Sequence, residues 1–231
     1  MERIKIVEVK EDILADNASV AEKIRQRLGE KGTLLVNLMA SPGAGKTSFI
    51  VAVIKSLRER FKIAVLEADI QSTVDAEKVA SLGIPTIQLQ TGGFCHLDAS
   101  MVEKGLAFLP EEPVDIIIIE NVGNLVCPAE FDTGAHKNIM LASVPEGHDK
   151  PLKYPLMFSV CDALALNKID LLKGSDFDRS AFEESVRKLN RNIVIFDISC
   201  KNGDGLTAFA TWLTNEHNYF TAKPNSTSKA P

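Results

Sequence analysis

The segment Ser41-Pro42-Gly43-Ala44-Gly45-Lys46-Thr47 constrains this chain more than any other. It follows an apolar run at 34–39 directly and opens a helical stretch. A Gly-rich turn between a strand and a helix is the setting of a phosphate loop. Gly43 and Gly45 let the backbone bend so that successive N–H groups face an anion. The helix N-terminus adds positive potential. In such a loop the backbone from Gly43 through Ala44 and Gly45 to Ser48 cradles phosphates, Lys46 reaches the β- and γ-phosphates, and the Thr47 hydroxyl meets Mg²⁺. The strict pattern has Gly at the position held here by Ala40, a mild departure.

The rest of the chain agrees with an α/β fold. Apolar runs recur at 34–39, 63–66, 86–89, 114–119, 139–144, 163–166 and 193–198, and helical stretches lie near 46–60, 75–82, 97–109, 177–190 and 204–215. Several runs are apolar at consecutive positions, as strands covered on both faces must be. Strands alternating with helices predict a P-loop NTPase fold, a mostly parallel sheet flanked by helices on both faces. Residues 1–32 read as an accessory segment. There Ala18, Val20, Ala21, Ile24 and Leu28 suit an amphipathic helix ending near Gly29 and Gly32. Residues 33–217 form the expected nucleotide-binding domain. Residues 218–231, rich in Ser, Thr, Lys and Pro, read as a disordered tail.

Charge and composition exclude several classes. A net charge of −5 argues against broad nucleic-acid binding. The N-terminus has no apolar signal core, and no window approaches the ~18 apolar residues of a membrane helix. Four cysteines in 231 residues are too sparse for a disulfide framework, which points to a reducing, cytoplasmic setting.

Asn167-Lys168-Ile169-Asp170 stands at the end of a later strand, where ligands of open α/β sheets bind. A carboxylate accepts from both N1–H and the exocyclic amine of guanine, which adenine cannot offer. Asp170 fits that role. Lys168 suits the base plane, and Asn167 suits a tie to the phosphate loop. Ser199-Cys200-Lys201, after the next strand, is similar to the loop that closes on guanine in GTPases. Two acidic strand ends, Asp69 and Glu120, suit Mg²⁺ or its water shell, and Gly123 suits an N–H contact to the γ-phosphate. With Lys46 and Thr47, these two carboxylates form the expected catalytic group. No water-orienting side chain follows Gly123, since Asn124 and Leu125 stand there, so turnover is expected to be slow.

A second group is Cys95, His96 and Cys127. Cys95 and His96 are expected at the start of a helix, whose dipole favours a thiolate. Sulfur and imidazole suit Zn²⁺ or Ni²⁺. Spacing alone does not decide between a metal site and small buried cysteines. Adjacent side chains on a helix diverge, and three ligands leave a position open. A symmetric dimer that pools ligands removes both difficulties.

Taken together, the phosphate loop, Thr91-Gly92-Gly93-Phe94-Cys95-His96-Leu97-Asp98-Ala99, Ile119-Glu120-Asn121-Val122-Gly123-Asn124-Leu125-Val126-Cys127-Pro128, residues 146–158 and the 167–170 loop resemble the HypB family of hydrogenase maturation GTPases. The resemblance spreads over most of 33–215. It implies slow GTP hydrolysis with Mg²⁺, a nickel or zinc site at Cys95, His96 and Cys127 on a nucleotide-dependent homodimer interface, and delivery of nickel to a nickel–iron hydrogenase. The implied partners are a hydrogenase maturation protein and the hydrogenase large subunit. Departures exist. No Cys precedes Cys95 and no His precedes His96, so an N-terminal nickel-storage motif is not expected. Ala68 and Ser72 replace the family's usual residues in the first switch. His148 replaces an acidic residue and reads as a surface change, His136 reads as structural, and His217 has no assigned role. Two other readings compete: a GTPase chaperone for another metalloenzyme, urease or a cobalamin enzyme, and a small-molecule kinase, against which the guanine-type loop argues.

Overall fold

The computed structural model describes residues 9–69 and 74–222. Seven strands form one sheet: β1 (Leu34–Ala40), β2 (Ile63–Asp69), β3 (Thr86–Gln90), β4 (Ile116–Glu120), β5 (Lys137–Ser143), β6 (Ala163–Asn167) and β7 (Val194–Asp197). Their order is β3-β2-β4-β1-β5-β6-β7, and every neighbouring pair is parallel. The seven apolar runs in the sequence are these seven strands, each within three residues at its ends. β1 lies inside the sheet, and the chain crosses it between β4 and β5. That crossing opens a crevice beyond the carboxyl ends of the strands.

The helices are α1 (Val9–Glu30), α2 (Lys46–Leu57), α3 (Val74–Ala80), α4 (Ala99–Leu106), α5 (Cys127–Glu130), α6 (Lys150–Lys153), α7 (Pro155–Ser159), α8 (Arg179–Leu189) and α9 (Leu206–Ala222). β1 shows why both faces are covered. Leu34, Val36, Leu38 and Ala40 enter a core shared with α2 and α9, whereas Leu35 meets α1 and α4, and Met39 meets α7 and α8. Side chains alternate across a strand, so a strand buried on both sides must be apolar almost throughout. Asn37 is the polar exception on the second face.

Two expectations change at the ends of the chain. In α1 the buried face runs through Asn17, Ala21, Ile24 and Leu28, while Ala18 is exposed. Asn17 replaces Ala18 on that face because its amide is paired, donating to the Asp132 carbonyl at 2.8 Å and accepting from the Ala99 N–H at 2.8 Å. Close contact with α1 also requires Gly134 (φ +79°), where a Cβ would stand 2.9 Å from Ile24 Cβ. At the other end, residues 218–222, expected in a disordered tail, are helical within α9. Phe220 packs at a tilt on His136 with centroids 4.4 Å apart and lies against Gly29, which anchors that last turn. The first switch at residues 70–72 and the segments 1–8 and 223–231 lie outside the described residues.

Candidate nucleotide and metal sites

The phosphate loop closes on itself through glycine. Gly45, at φ +102°, caps α2, and Gly43 is also left-handed at φ +78°. A Cβ on Gly45 would lie 2.8 Å from Asn167 Nδ2. That space is needed because Asn167 Nδ2 donates to the Ala44 carbonyl at 3.0 Å. The Asn167 Oδ1 accepts from the N–H of Lys168 (2.8 Å) and of Cys200 (3.2 Å). Lys168 takes φ +62°, alone among the described non-glycine residues, and its Nζ donates to the Gly43 carbonyl at 2.8 Å. Ser199 Oγ donates to Asp170 Oδ1 at 2.7 Å, and Lys201 Nζ stands 4.0 Å from the other oxygen of that carboxylate. Gly205 makes this turn possible, since a Cβ there would stand 2.1 Å from the Asp197 carbonyl oxygen. Burial pushes the Cys200 thiol up to about 11, so it is a neutral packing group at pH 7. An open groove of ≈480 Å³ runs beside the loop past Thr47, Ser48, Lys55, Lys78 and Cys200.

Oxygen donors converge at the other side of the loop. Thr47 Oγ1 donates to Glu120 Oε1 at 3.2 Å. Gly123 lies against the loop, where a Cβ would come within 3.2 Å of Lys46 Nζ and of the Pro42 ring and nitrogen. Asp69 ends β2, in register with Gln90 on β3. The residue beside Glu120 in the sheet register is Glu67, which is buried, as is Glu120. Sequence reasoning took Asp69 from the acidic end of β2 and passed over Glu67, because the pairing of β2 with β4 is not visible in either strand. It also passed over Glu146. That carboxylate takes hydrogen bonds from Ser41 Oγ and from Ser143 Oγ (2.8 Å), with Lys150 Nζ 3.9 Å away. Its only sequence signal was its place in the family segment 146–158.

The three candidate metal ligands stand together. One donor atom from each of Cys95, His96 and Cys127 lies within 4.8 Å of the others, and all three residues are half-buried. The Cys95 and Cys127 sulfurs are 2.9 Å apart, and both thiols are free. Cys95 Sγ is 3.9 Å from His96 Nδ1. The helix expectation is corrected here. Cys95 and His96 lie in a loop ahead of α4, whose cap is Asp98 and whose first residue is Ala99. The loop, not a helix, lets neighbouring side chains face one point. Cys127 opens the four-residue α5 instead. Its thiol is pushed above the ordinary value by the hydrogen bond with Cys95, and then by burial. His96 stacks on Phe131 with centroids 3.8 Å apart, and burial holds its pKa below the usual value. A neutral ring keeps a lone pair for a metal. Soft sulfur with borderline nitrogen suits nickel or zinc, and three ligands leave a fourth position open. Phe94 (56% exposed) and Val126 (51% exposed) flank the candidate ligands.

The other histidines are accounted for differently. His136 Nδ1 accepts from the Leu35 N–H at 3.0 Å and its Nε2 lies 3.2 Å from the Arg25 carbonyl, so it ties β1 to α1. His148 Nδ1 accepts from the Asp178 N–H at 3.2 Å, ahead of α8. His217 is buried against Phe61.

A model of the CobW/HypB/UreG nucleotide-binding domain matches residues 34–197. The chain is 42% identical to the hydrogenase maturation factor HypB of Rhizobium leguminosarum bv. viciae, over 92% of this chain and 71% of that one. The chain belongs to the HypB family. It is also 40% identical to the hydrogenase/urease maturation factor HypB of Helicobacter pylori strain 26695, over 90% of this chain and 87% of that one. The crystal structure of HypB from Helicobacter pylori in complex with nickel superposes with a TM-score of 0.85 at 37% identity, covering 93% of this chain and 100% of that one. As a HypB-family member with a P-loop, the chain is a nucleotide-binding protein. No helix among its described residues is long and apolar enough to cross a membrane.

Proposed function

We propose that this chain is a cytoplasmic GTPase that carries nickel toward a nickel–iron hydrogenase. The observation that carries the proposal is the continuity of two sites. Glu120, bonded to Thr47 of the phosphate loop, and Cys127, in contact with Cys95, are ends of one short segment. A loop that answers to the γ-phosphate therefore also carries a metal ligand.

In this reading Asp170 selects guanine, Ser199, Cys200 and Lys201 close over the base, and Asn167 and Lys168 brace the base loop against the phosphate loop. The amides of Gly43, Ala44, Gly45 and Ser48 hold the phosphates, and Lys46 offsets their charge. Mg²⁺ is supported by the convergence of a hydroxyl and a carboxylate, hard oxygen donors, at Thr47 and Glu120, with Asp69 as a further candidate at the end of β2. When bound there, Mg²⁺ neutralises charge on the β- and γ-phosphates. Gly123 donates its N–H to the γ-phosphate. Asn124 and Leu125 supply no group to orient the attacking water, so turnover is slow until a partner completes the site.

Nickel is the cargo, with zinc as its competitor, held by Cys95, His96 and Cys127. The exposed Phe94 and Val126 beside an incomplete ligand set favour a two-fold homodimer that pools ligands in the GTP state. Hydrolysis then loosens the site toward a maturation partner and the hydrogenase large subunit. Urease is the second candidate target, favoured by the name of the Helicobacter pylori relative. The deciding experiment is a nickel titration with GDP and with a non-hydrolysable GTP analogue, on wild type, Cys95→Ala and Cys127→Ala, with the mass in solution followed. Affinity and mass are expected to depend on nucleotide in the wild type. Equal affinities in both states would remove the switch, and unchanged stoichiometry in both variants would remove the site.

A further inference from the structure

The metal loop and the switch segment share one hydrogen-bond acceptor. Asn121 is fully buried, directly after Glu120. Its Oδ1 accepts from the Leu97 N–H at 3.2 Å and from the Val122 N–H at 2.9 Å. Leu97 follows His96, and Val122 precedes Gly123. The orientation of the amide is fixed from behind. Asn121 Nδ2 donates to Asn37 Oδ1 at 3.1 Å, and Asn37 Nδ2 donates to Asn138 Oδ1 at 3.1 Å. A flipped amide would set donors against two N–H groups and an acceptor against Asn37 Oδ1. The Asn121 N–H itself donates to the Leu38 carbonyl at 3.0 Å, which ties it to β1 ahead of the phosphate loop.

We infer that Asn121 is the positioning residue through which nucleotide state reaches the Cys95–His96 side of the metal site. The inference rests on the proposed linkage of GTP to nickel. Cys127 reports on residues 120–123 through the chain itself. Cys95 and His96 lie on a separate loop with no such covalent route, and Oδ1 of Asn121 supplies a hydrogen-bonded one through the Leu97 N–H. The bond is shielded from water, so no solvent replaces it when Val122 moves. Leu97 must follow or lose its partner. The far end of the same loop is held independently, since Ala99 N–H is bonded to Asn17 on α1 and Asp98 caps α4. Displacement at Leu97 is therefore taken up at Cys95 and His96, between Leu97 and the preceding strand.

The test is the ratio of Ni²⁺ affinities with a non-hydrolysable GTP analogue and with GDP. Couplings between sites are typically about 5–150-fold. Asn121→Ala is expected to bring the ratio close to one. Asn37→Ala, which disturbs the same buried amides but leaves both Oδ1 bonds, is expected to keep most of it. A purely structural role lowers stability in both states alike and leaves the ratio unchanged. In the wild type, hydrogen exchange at the Leu97 and Val122 amides is expected to change together when GDP is replaced by the analogue. This needs no variant to fold. A wild-type ratio of one sinks the nickel–GTP linkage and this inference with it. A large wild-type ratio retained in Asn121→Ala, or exchange at Leu97 that ignores the nucleotide while Val122 responds, overturns the role of Asn121 alone.

Discussion

Asn167 Nδ2 donates to the carbonyl oxygen of Ala44 at 3.0 Å, joining the base loop to the phosphate loop across most of the chain. The same side chain accepts from the Lys168 and Cys200 N–H groups, so one buried amide holds three loops. Removing it leaves three backbone groups unpaired. Asn167→Ala is expected to lower folding stability by at least ~1–3 kcal/mol, the cost of a buried unsatisfied group, and to weaken guanine nucleotide. Chemical denaturation without nucleotide, followed by GDP titration, measures both. Stability and GDP affinity equal to wild type would show that the three loops hold without it.

Asp170 is the proposed reader of the base. Ser199 donates to one of its oxygens and Lys201 approaches the other, which aims the carboxylate. Asp170→Ala is expected to weaken GTP far more than ATP, because a polar site that pairs its ligand's donors discriminates by up to ~10⁴-fold. Competition binding of GTP and ATP to both proteins measures it. Equal binding of the two nucleotides by the wild type would refute the assignment.

Lys46 lies where Gly123 meets the phosphate loop, with its Nζ within 3.2 Å of the position a Gly123 side chain would take. Lys46→Ala is expected to abolish hydrolysis and nearly abolish nucleotide binding. The wild type alone is expected to turn over well below the ~10 s⁻¹ of a median enzyme. Phosphate release under saturating GTP checks both expectations. A fast wild type would mean that a water-orienting group has been overlooked.

His136 gives a pH dependence with a definite sign. Burial lowers its folded pKa, and the Leu35 N–H occupies the Nδ1 lone pair. A proton on Nδ1 would face that N–H. The unfolded ring titrates near ~6.5. Stability from His136 is therefore complete above that value and falls as the pH drops through it toward the folded pKa. His136→Asn is expected to lose less stability than wild type between pH 7.5 and pH 5.5, read from denaturation midpoints. An equal loss in both would assign the pH dependence elsewhere.

Local chemistry made the two loops proposed to hold nucleotide legible in the sequence. Gly43, Gly45 and Lys46 act within one turn, and Asn167 to Asp170 within another. The inner strands were legible for a related reason, since burial on both faces writes itself as consecutive apolar residues such as Ile116 to Ile119. The sequence also named Cys95, His96 and Cys127, chiefly through family resemblance.

Tertiary structure decided what depends on which residues lie side by side. Glu67 stands beside Glu120 only because β2 pairs with β4 in that register. Asn17, not Ala18, turns inward on α1 because Ala99 and Asp132 offer it partners from distant parts of the chain. The Cys95–His96 segment is a loop rather than the first turn of α4 because Asp98 caps the helix there. Asn37, Asn121 and Asn138 form a largely buried amide chain because β1, β5 and the residue after β4 bring them together. A buried polar group is tolerable only when its partners are supplied, and those partners come from residues that no local pattern connects.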